Sequence, residues 1–137
     1  MIAYPDTSVL VAALTVDDQT ERAMRWLRSG PILLTSTWTL AEFSSALALQ
    51  QRQKRIDAKG ASAAEDMLDF IMRAESPKPV LPDDMVEARR VVRELGFLRA
   101  PDALHLVICR RLGTAMASLD TKLNEGALAV GVALVDL

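Results

Sequence analysis

The stretch that decides the fold is MIAYPDTSVLVAAL, residues 1–14. Residues 2–5 predict a short strand, and Pro5 is tolerated at its end because no ladder hydrogen bond need be lost there. Asp6-Thr7-Ser8 predicts a helix start, because side chains of these types cap helices, and the apolar run Val9–Leu14 continues the helix. A strand that runs directly into a helix is typical of α/β domains.

The rest of the chain continues this alternation. Further strands are predicted at residues 32–34, 80–81, 115–119 and 131–135. Further helices are predicted over residues 17–29, from the cap candidates at 35–37 to about 53, and over 61–75, 83–96, 101–112 and a short segment opened by Asp120. Short connections predict a single domain over residues 1–137, a three-layer α/β/α sandwich with a mostly parallel central sheet.

The composition fits one compact domain. The chain has 137 residues, of which 50% are hydrophobic, enough for a single core. Its one cysteine, Cys109, excludes an internal disulfide and agrees with a reducing compartment, and we expect it to be buried on a helix. The first residues lack a basic leader, and no apolar run approaches the ~20 residues of a membrane span. We therefore expect a cytoplasmic protein without a membrane partner.

Four carboxylates share an unusual property: each is the only charged side chain in a stretch of ten or more residues. They are Asp6 in residues 1–16, Glu42 in 29–51, Asp102 in 100–109 and Asp120 in 112–121. A lone ionised acid near a core costs several kcal/mol unless a cation, hydrogen bonds or a pKa shift compensates it. Because the chain has one histidine and one cysteine, the natural shared compensator is a divalent cation that takes oxygen ligands, Mg²⁺ or Mn²⁺.

The positions of three of these acids leave two interpretations open. Asp6 and Asp120 directly follow predicted strands, and ligands collect at the carboxyl ends of the strands of a parallel sheet. Asp102 lies in the first turn of a predicted helix. Helix capping alone would also explain all three acids, since carboxylates are favourable at helix N-termini.

Glu42 has no such alternative. It shares one helix face with Trp38, Ala46 and Leu49, so we expect it to point inward. No lysine or arginine lies within nine residues on either side, so its partner must come from elsewhere in the chain.

Four segments together resemble the PIN-domain ribonucleases, and the short length of the chain is similar to that of the VapC-type toxins of bacterial toxin-antitoxin pairs. The segments are Asp6-Thr7-Ser8-Val9-Leu10, Ala41-Glu42, Ala100-Pro101-Asp102-Ala103-Leu104-His105-Leu106 and Ser118-Leu119-Asp120. None of them is specific alone, but four acids in this order on matching elements form a joint signal. The resemblance covers essentially the whole chain.

The resemblance implies a metal-dependent endoribonuclease, with an RNA substrate, a small cognate antitoxin encoded next to it and a homodimeric state. It assigns one or two Mg²⁺ or Mn²⁺ ions to a cluster made by Asp6, Glu42, Asp102 and Asp120. It also implies that Thr7 or Ser8 orients Asp6 or a water on the metal, and that Ser118 stands where the family usually has threonine or serine.

This chemistry needs no histidine base, because a metal ion can activate water for in-line attack on a phosphodiester. His105 lies one turn after Asp102, and we expect it to be a packed structural residue rather than an RNA contact. The net charge of −2 counts against nucleic-acid binding, although basic residues are grouped locally, as at Arg89, Arg90 and Arg93.

Competing classes fit less well. A receiver domain needs an acid pair after its first strand, where Asp6 stands alone, and a haloacid-dehalogenase phosphatase needs a second aspartate at the position of Ser8. The alternative that remains is a PIN-like module that has lost catalysis and only binds protein.

Overall fold

A computed structural model describes all residues from Met1 to Leu137 and contains three strands and seven helices. In chain order they are β1 (Ile2–Pro5), α1 (Thr7–Leu14), α2 (Thr20–Arg28), β2 (Ile32–Leu33), α3 (Thr37–Arg52), α4 (Ala58–Met72), α5 (Pro82–Leu95), α6 (Ala100–Arg111), β3 (Ala115–Ala117) and α7 (Thr121–Ala129). None of these helices combines the length and the hydropathy that a membrane span requires.

The sheet is parallel, in the order β2-β1-β3, so β1 lies at its centre. Ile2 pairs with Ile32 on one side of β1, and Tyr4 pairs with Met116 on the other. Side chains alternate between the two faces of a strand. Ala3 accordingly packs in a core with α1 and α2, and Tyr4 packs in a core with α5, α6 and α7. Helices cover both faces of the sheet, which confirms the predicted three-layer fold.

Two of the predicted strands are wrong. Residues 80–81 form no strand, and the only pairing nearby is an isolated parallel bridge between Ser36 and Lys78. The next donor of this ladder, Val80 N, bonds to the side-chain oxygen Thr37 Oγ1 at 3.4 Å instead of a backbone carbonyl, so the pairing ends at Lys78. Residues 131–135 form only an isolated bridge, between Leu134 and Met116.

Aspartate side chains set the helix starts that the hydrophobic pattern misplaced. The carboxylate of Asp57 accepts a hydrogen bond from Gly60 N at 2.7 Å, so α4 begins at Ala58 rather than at residue 61. The carboxylate of Asp17 accepts from Gln19 N at 2.7 Å, forming a turn that delays α2 to Thr20.

Candidate functional site

The structure brings the four predicted carboxylates to one polar cleft of about 390 Å³. Two of them directly follow strands of the sheet, and two lie on helices that reach the same edge. They are Asp6 after β1, Glu42 on α3, Asp102 in the first turn of α6 and Asp120 between β3 and α7. A larger cavity of about 660 Å³ lies between α3, α5 and α6, but its lining is mainly apolar and offers no comparable chemistry.

Asp6 is 5% exposed and is held by two serine hydroxyls. Ser8 Oγ donates to Oδ1 at 2.6 Å, and Ser118 Oγ donates to Oδ2 at 3.1 Å. Asp6 occupies the N-cap position of α1, and the Val9 N–H of the first turn interacts with its carboxylate without forming a cap hydrogen bond of full geometry. Burial raises the pKa of Asp6 to about 6, although the hydroxyl hydrogen bonds and the nearby His105 act in the opposite direction.

Both serines are themselves fixed by backbone N–H groups. Ser8 Oγ accepts from Leu119 N at 3.2 Å, and Ser118 Oγ accepts from Asp120 N at 3.0 Å. Each hydroxyl therefore has one acceptor and one donor, and the loop after β3 determines how the Asp6 carboxylate is oriented.

Glu42 receives two hydrogen bonds on one oxygen. Thr7 Oγ1 and His105 Nε2 each lie 2.5 Å from Glu42 Oε2, and they lie 3.1 Å from each other. Burial raises the pKa of Glu42, but the hydrogen bond and charge of His105 and the hydrogen bond of Thr7 outweigh it, so the pKa is lowered overall. Of the adjacent hydroxyls of Thr7 and Ser8, that of Ser8 contacts Asp6 and that of Thr7 contacts Glu42.

His105 is 1% exposed, in agreement with the packed histidine expected from the sequence. Its contact with Glu42 is the part that sequence reasoning missed. The two residues are 63 positions apart, so no local spacing could reveal the pairing.

Asp102 and Asp120 lie in different local environments. Arg99 Nε is 3.6 Å from Asp102 Oδ2, but that arginine side chain is 83% exposed. Burial raises the pKa of Asp102, and the charges of Asp120 and Glu42 raise it further against the effect of Arg99. Asp120 Oδ1 accepts from Leu123 N at 2.8 Å and caps α7, so capping is one of its functions.

Three further polar residues line the cleft, and none was predicted: Asp17, Gln50 and Arg55. Asp17 lies beside Asp18 and close to Glu21, so it lacks the isolation that identified the other acids. Gln50 is 6% exposed, and its Oε1 has no hydrogen-bond partner. Arg55 adds a positive charge to a wall that is otherwise acidic or neutral.

The donor chemistry of the cleft fits a hard divalent cation. All four predicted ligands are carboxylates, and oxygen is the ligand type that Mg²⁺ and Mn²⁺ prefer. The mutual repulsion that raises the pKa of Asp102 is the effect that a cation would relieve. No three histidine, cysteine, aspartate or glutamate side chains, however, converge closely enough in this arrangement to hold one ion.

The fold and the site together define the class of protein. It is a parallel α/β/α sandwich with an acidic cleft at the carboxyl edge of its sheet. The sequence model of the PIN domain family matches residues 3–127, and the chain belongs to this family. No curated protein matches the chain in sequence.

Several solved structures share the fold over nearly the whole chain. VapC20 of Mycobacterium tuberculosis, a toxin that cleaves the sarcin-ricin loop, is 20% identical with a TM-score of 0.69, and the match covers 98% of this chain and 99% of that one. FitAcB of Neisseria gonorrhoeae is 22% identical with a TM-score of 0.70, covering 99% and 97%. VapBC2 of Rickettsia felis, bound to a fragment of promoter DNA, is 14% identical with a TM-score of 0.69, covering 100% and 99%.

Proposed function

We propose that this chain is an endoribonuclease dependent on Mg²⁺ or Mn²⁺ and the toxin of a type II toxin-antitoxin pair. The observation that carries the proposal is the meeting of four carboxylates, from four separate parts of the chain, in one polar cleft. Membership of the PIN domain family supports a nuclease. The RNA-cleaving toxin among the structures of the same fold supports RNA as the substrate.

In this proposal the carboxylates that would hold the cation are Asp6, Glu42, Asp102 and Asp120. Its charge would draw them closer together than they lie in the present arrangement. A bound divalent ion supplies a Lewis acid that makes water nucleophilic at neutral pH and neutralises phosphate charge. The protein contributes orientation, because Ser8 and Ser118 fix both oxygens of Asp6 while Thr7 fixes one oxygen of Glu42.

In this proposal, arginines near the cleft balance the negative charge of the RNA phosphates, since the protein as a whole carries no positive net charge. The net charge is −2, and the acidic cleft would repel RNA in the absence of a cation. Arg55 on the wall of the cleft and the exposed Arg99 beside Asp102 provide two positive charges close to the carboxylates. We propose that these two arginines attract the phosphates on either side of the bond that is cut.

The proposed protein partners are a cognate antitoxin and a second copy of the chain. Met24 and Leu27 of α2 line an apolar cavity of about 460 Å³ against α1 and α4, which offers an apolar surface to a partner. Trp26 and Phe43 are 5% and 0% exposed, so they belong to the core rather than to an interface. The matching structures from Neisseria gonorrhoeae and Rickettsia felis, FitAcB and VapBC2, support the expectation of an antitoxin.

The test is RNA cleavage by purified protein with Mg²⁺ and with chelator. We expect cleavage only with Mg²⁺. We expect cleavage to fall to background in Asp6→Asn and Asp102→Asn, because each change replaces an anionic carboxylate with a neutral amide of nearly equal size. Asp66→Asn is the matched control, since Asp66 is an exposed residue of α4 away from the cleft. Cleavage and growth inhibition that survive either cleft substitution would contradict the nuclease proposal. Wild-type protein that neither binds Mg²⁺ nor cleaves RNA would favour the protein-binding module.

A further inference from the structure

A buried chain of hydrogen bonds leads from the cleft into the core. His105 Nε2 lies 2.5 Å from Glu42 Oε2, and His105 Nδ1 lies 2.8 Å from the Tyr4 hydroxyl. The Tyr4 hydroxyl lies 2.8 Å from Ser36 Oγ, which lies 3.3 Å from Thr39 Oγ1. Apart from Glu42 at its outer end, every member of this chain is at most 1% exposed.

The chemistry of the partners gives these hydrogen bonds a direction. An ionised carboxylate can only accept, so His105 Nε2 must carry a proton and donate it to Glu42. Burial raises the pKa of Tyr4, so its phenol keeps its proton and can donate it to His105 Nδ1 at 2.8 Å. Tyr4 thereby favours the His105 tautomer that carries its proton on Nε2, the nitrogen next to Glu42. Ser36 in turn orients the phenol of Tyr4.

The chain connects elements that meet nowhere else through side-chain hydrogen bonds. Tyr4 belongs to the central strand β1, His105 to α6, and Glu42 to α3, with Ser36 directly before α3. Glu42 has no lysine or arginine among its hydrogen-bond partners, so His105 and Thr7 are the groups that hold it. Both act on Oε2, and no hydrogen bond engages Oε1.

We propose that His105, with its tautomer set by Tyr4, is a positioning residue that holds Glu42 through Oε2 and leaves Oε1 to face the cleft. The part of this inference that concerns the cation rests on the proposed function, because Oε1 is the oxygen that the cation would meet. The part that concerns the orientation of Glu42 is independent of it. His105 itself touches neither substrate nor cation and needs no catalytic function of its own.

The single histidine of the chain allows a direct test. In protein with ¹⁵N-labelled histidine, an imidazole spectrum contains the signals of His105 alone. With the ring neutral and the protein free of metal, we expect Nε2 in the protonated range and Nδ1 in the unprotonated range. We expect Tyr4→Phe to shift the Nδ1 signal and Glu42→Gln to shift the Nε2 signal. Three results would overturn the proposal: a ring protonated on Nδ1, a mixture of tautomers, or an Nε2 signal that does not shift in Glu42→Gln.

Mg²⁺ affinity provides a second measurement that does not depend on RNA cleavage. Outer-shell partners of metal ligands typically contribute roughly 10- to 100-fold to affinity. We expect His105→Asn to weaken Mg²⁺ binding by about that factor, and His105→Gln to restore part of it, because the longer amide still reaches Glu42. Cys109→Ala is the matched control, since Cys109 is equally buried one turn further along α6 and does not contact Glu42.

The two measurements separate the inference from the proposed function. If wild-type protein binds no Mg²⁺, the proposed function fails, while the ¹⁵N signals still decide whether His105 holds Glu42. If Mg²⁺ binds and His105→Asn binds it as tightly as wild type, the positioning inference is wrong and the proposed function stands. Weaker binding in Cys109→Ala equal to that in His105→Asn would also overturn the inference, because it would show general destabilisation.

Discussion

Ser118 Oγ donates a hydrogen bond to Asp6 Oδ2 at 3.1 Å and so ties the end of β3 to the end of β1 across 112 residues. The same oxygen of Ser118 accepts from Asp120 N at 3.0 Å. One hydroxyl thus orients a cleft carboxylate and the backbone of another cleft residue. It lies at the edge of the sheet, directly after the end of β3.

We expect Ser118→Ala to lower the free energy of unfolding by roughly 1–3 kcal/mol at neutral pH, because the buried, ionised Asp6 loses a donor. Urea unfolding measures the change. Ser62→Ala is the control, since Ser62 is an exposed residue of α4 and its loss should cost less than about 0.5 kcal/mol. Equal effects of the two substitutions would show that the Ser118 hydroxyl does not hold Asp6.

The stability of the metal-free protein should increase on mild acidification. Burial raises the pKa of Asp6 from its usual 3.8 to about 6, so the folded protein takes up a proton at a pH where the unfolded chain does not. The free energy of unfolding therefore rises as the pH falls through 6 and levels off near 3.8. The lowered pKa of Glu42 acts in the opposite direction, but only below its usual value of 4.5.

Urea unfolding in chelator between pH 7.5 and 5 measures this effect, which we expect to be on the order of 1 kcal/mol for Asp6 over that range. Asp6→Asn removes the titrating group and should flatten the profile over this range, apart from a smaller contribution of Asp102. Profiles of wild type and Asp6→Asn that run parallel would contradict a raised pKa of Asp6.

The fold could be predicted from the sequence where local signals agree. In residues 1–14 an apolar strand, a capping triplet and an apolar helix follow one another, and the structure has β1 and α1 there. Prediction was wrong at 80–81, where the backbone N–H of Val80 bonds to the side chain of Thr37 instead of to a neighbouring strand.

The sequence could predict those residues of the candidate site that are recognisable one at a time, but not the contacts between them. Isolation of charge identified the acids that line the cleft, because an ionised group in an apolar stretch needs a compensating partner. It did not identify Asp17, whose neighbours in the sequence are also charged. Nor could it pair His105 with Glu42 or Thr7, because these contacts depend on how α1, α3 and α6 meet in three dimensions.

Mg²⁺ should raise the melting temperature of the wild-type protein, because a ligand bound only by the folded state stabilises it. At 100 times the dissociation constant the stabilisation is about 2.7 kcal/mol, which corresponds to several degrees for a domain of this size. Differential scanning fluorimetry with and without Mg²⁺ measures the shift. We expect little or no shift for Asp102→Asn and a full shift for Asp66→Asn, and equal shifts for both variants would place the cation outside the cleft.

A buried ion pair between Asp84 and Arg111 joins α5 to α6. Asp84 is 2% exposed, and its carboxylate accepts from Arg111 Nε at 2.7 Å, from Arg111 Nη2 at 2.9 Å and from Leu81 N at 2.8 Å. Removal of Arg111 leaves this buried carboxylate with one hydrogen bond and no counter-charge. Since the side chain of Arg111 is 30% exposed, water replaces part of what is lost.

We therefore expect Arg111→Met to lower the free energy of unfolding by about 2–3 kcal/mol, somewhat less than for a fully buried pair. Arg110→Met is the matched control on the preceding residue. Arg110 is exposed, and its ion pair with Glu87 at 3.4 Å should contribute less than about 1 kcal/mol to the free energy of unfolding. Urea unfolding at neutral pH compares the two variants. A loss in Arg111→Met as small as that in Arg110→Met would mean that solvent, rather than Arg111, compensates the charge of Asp84.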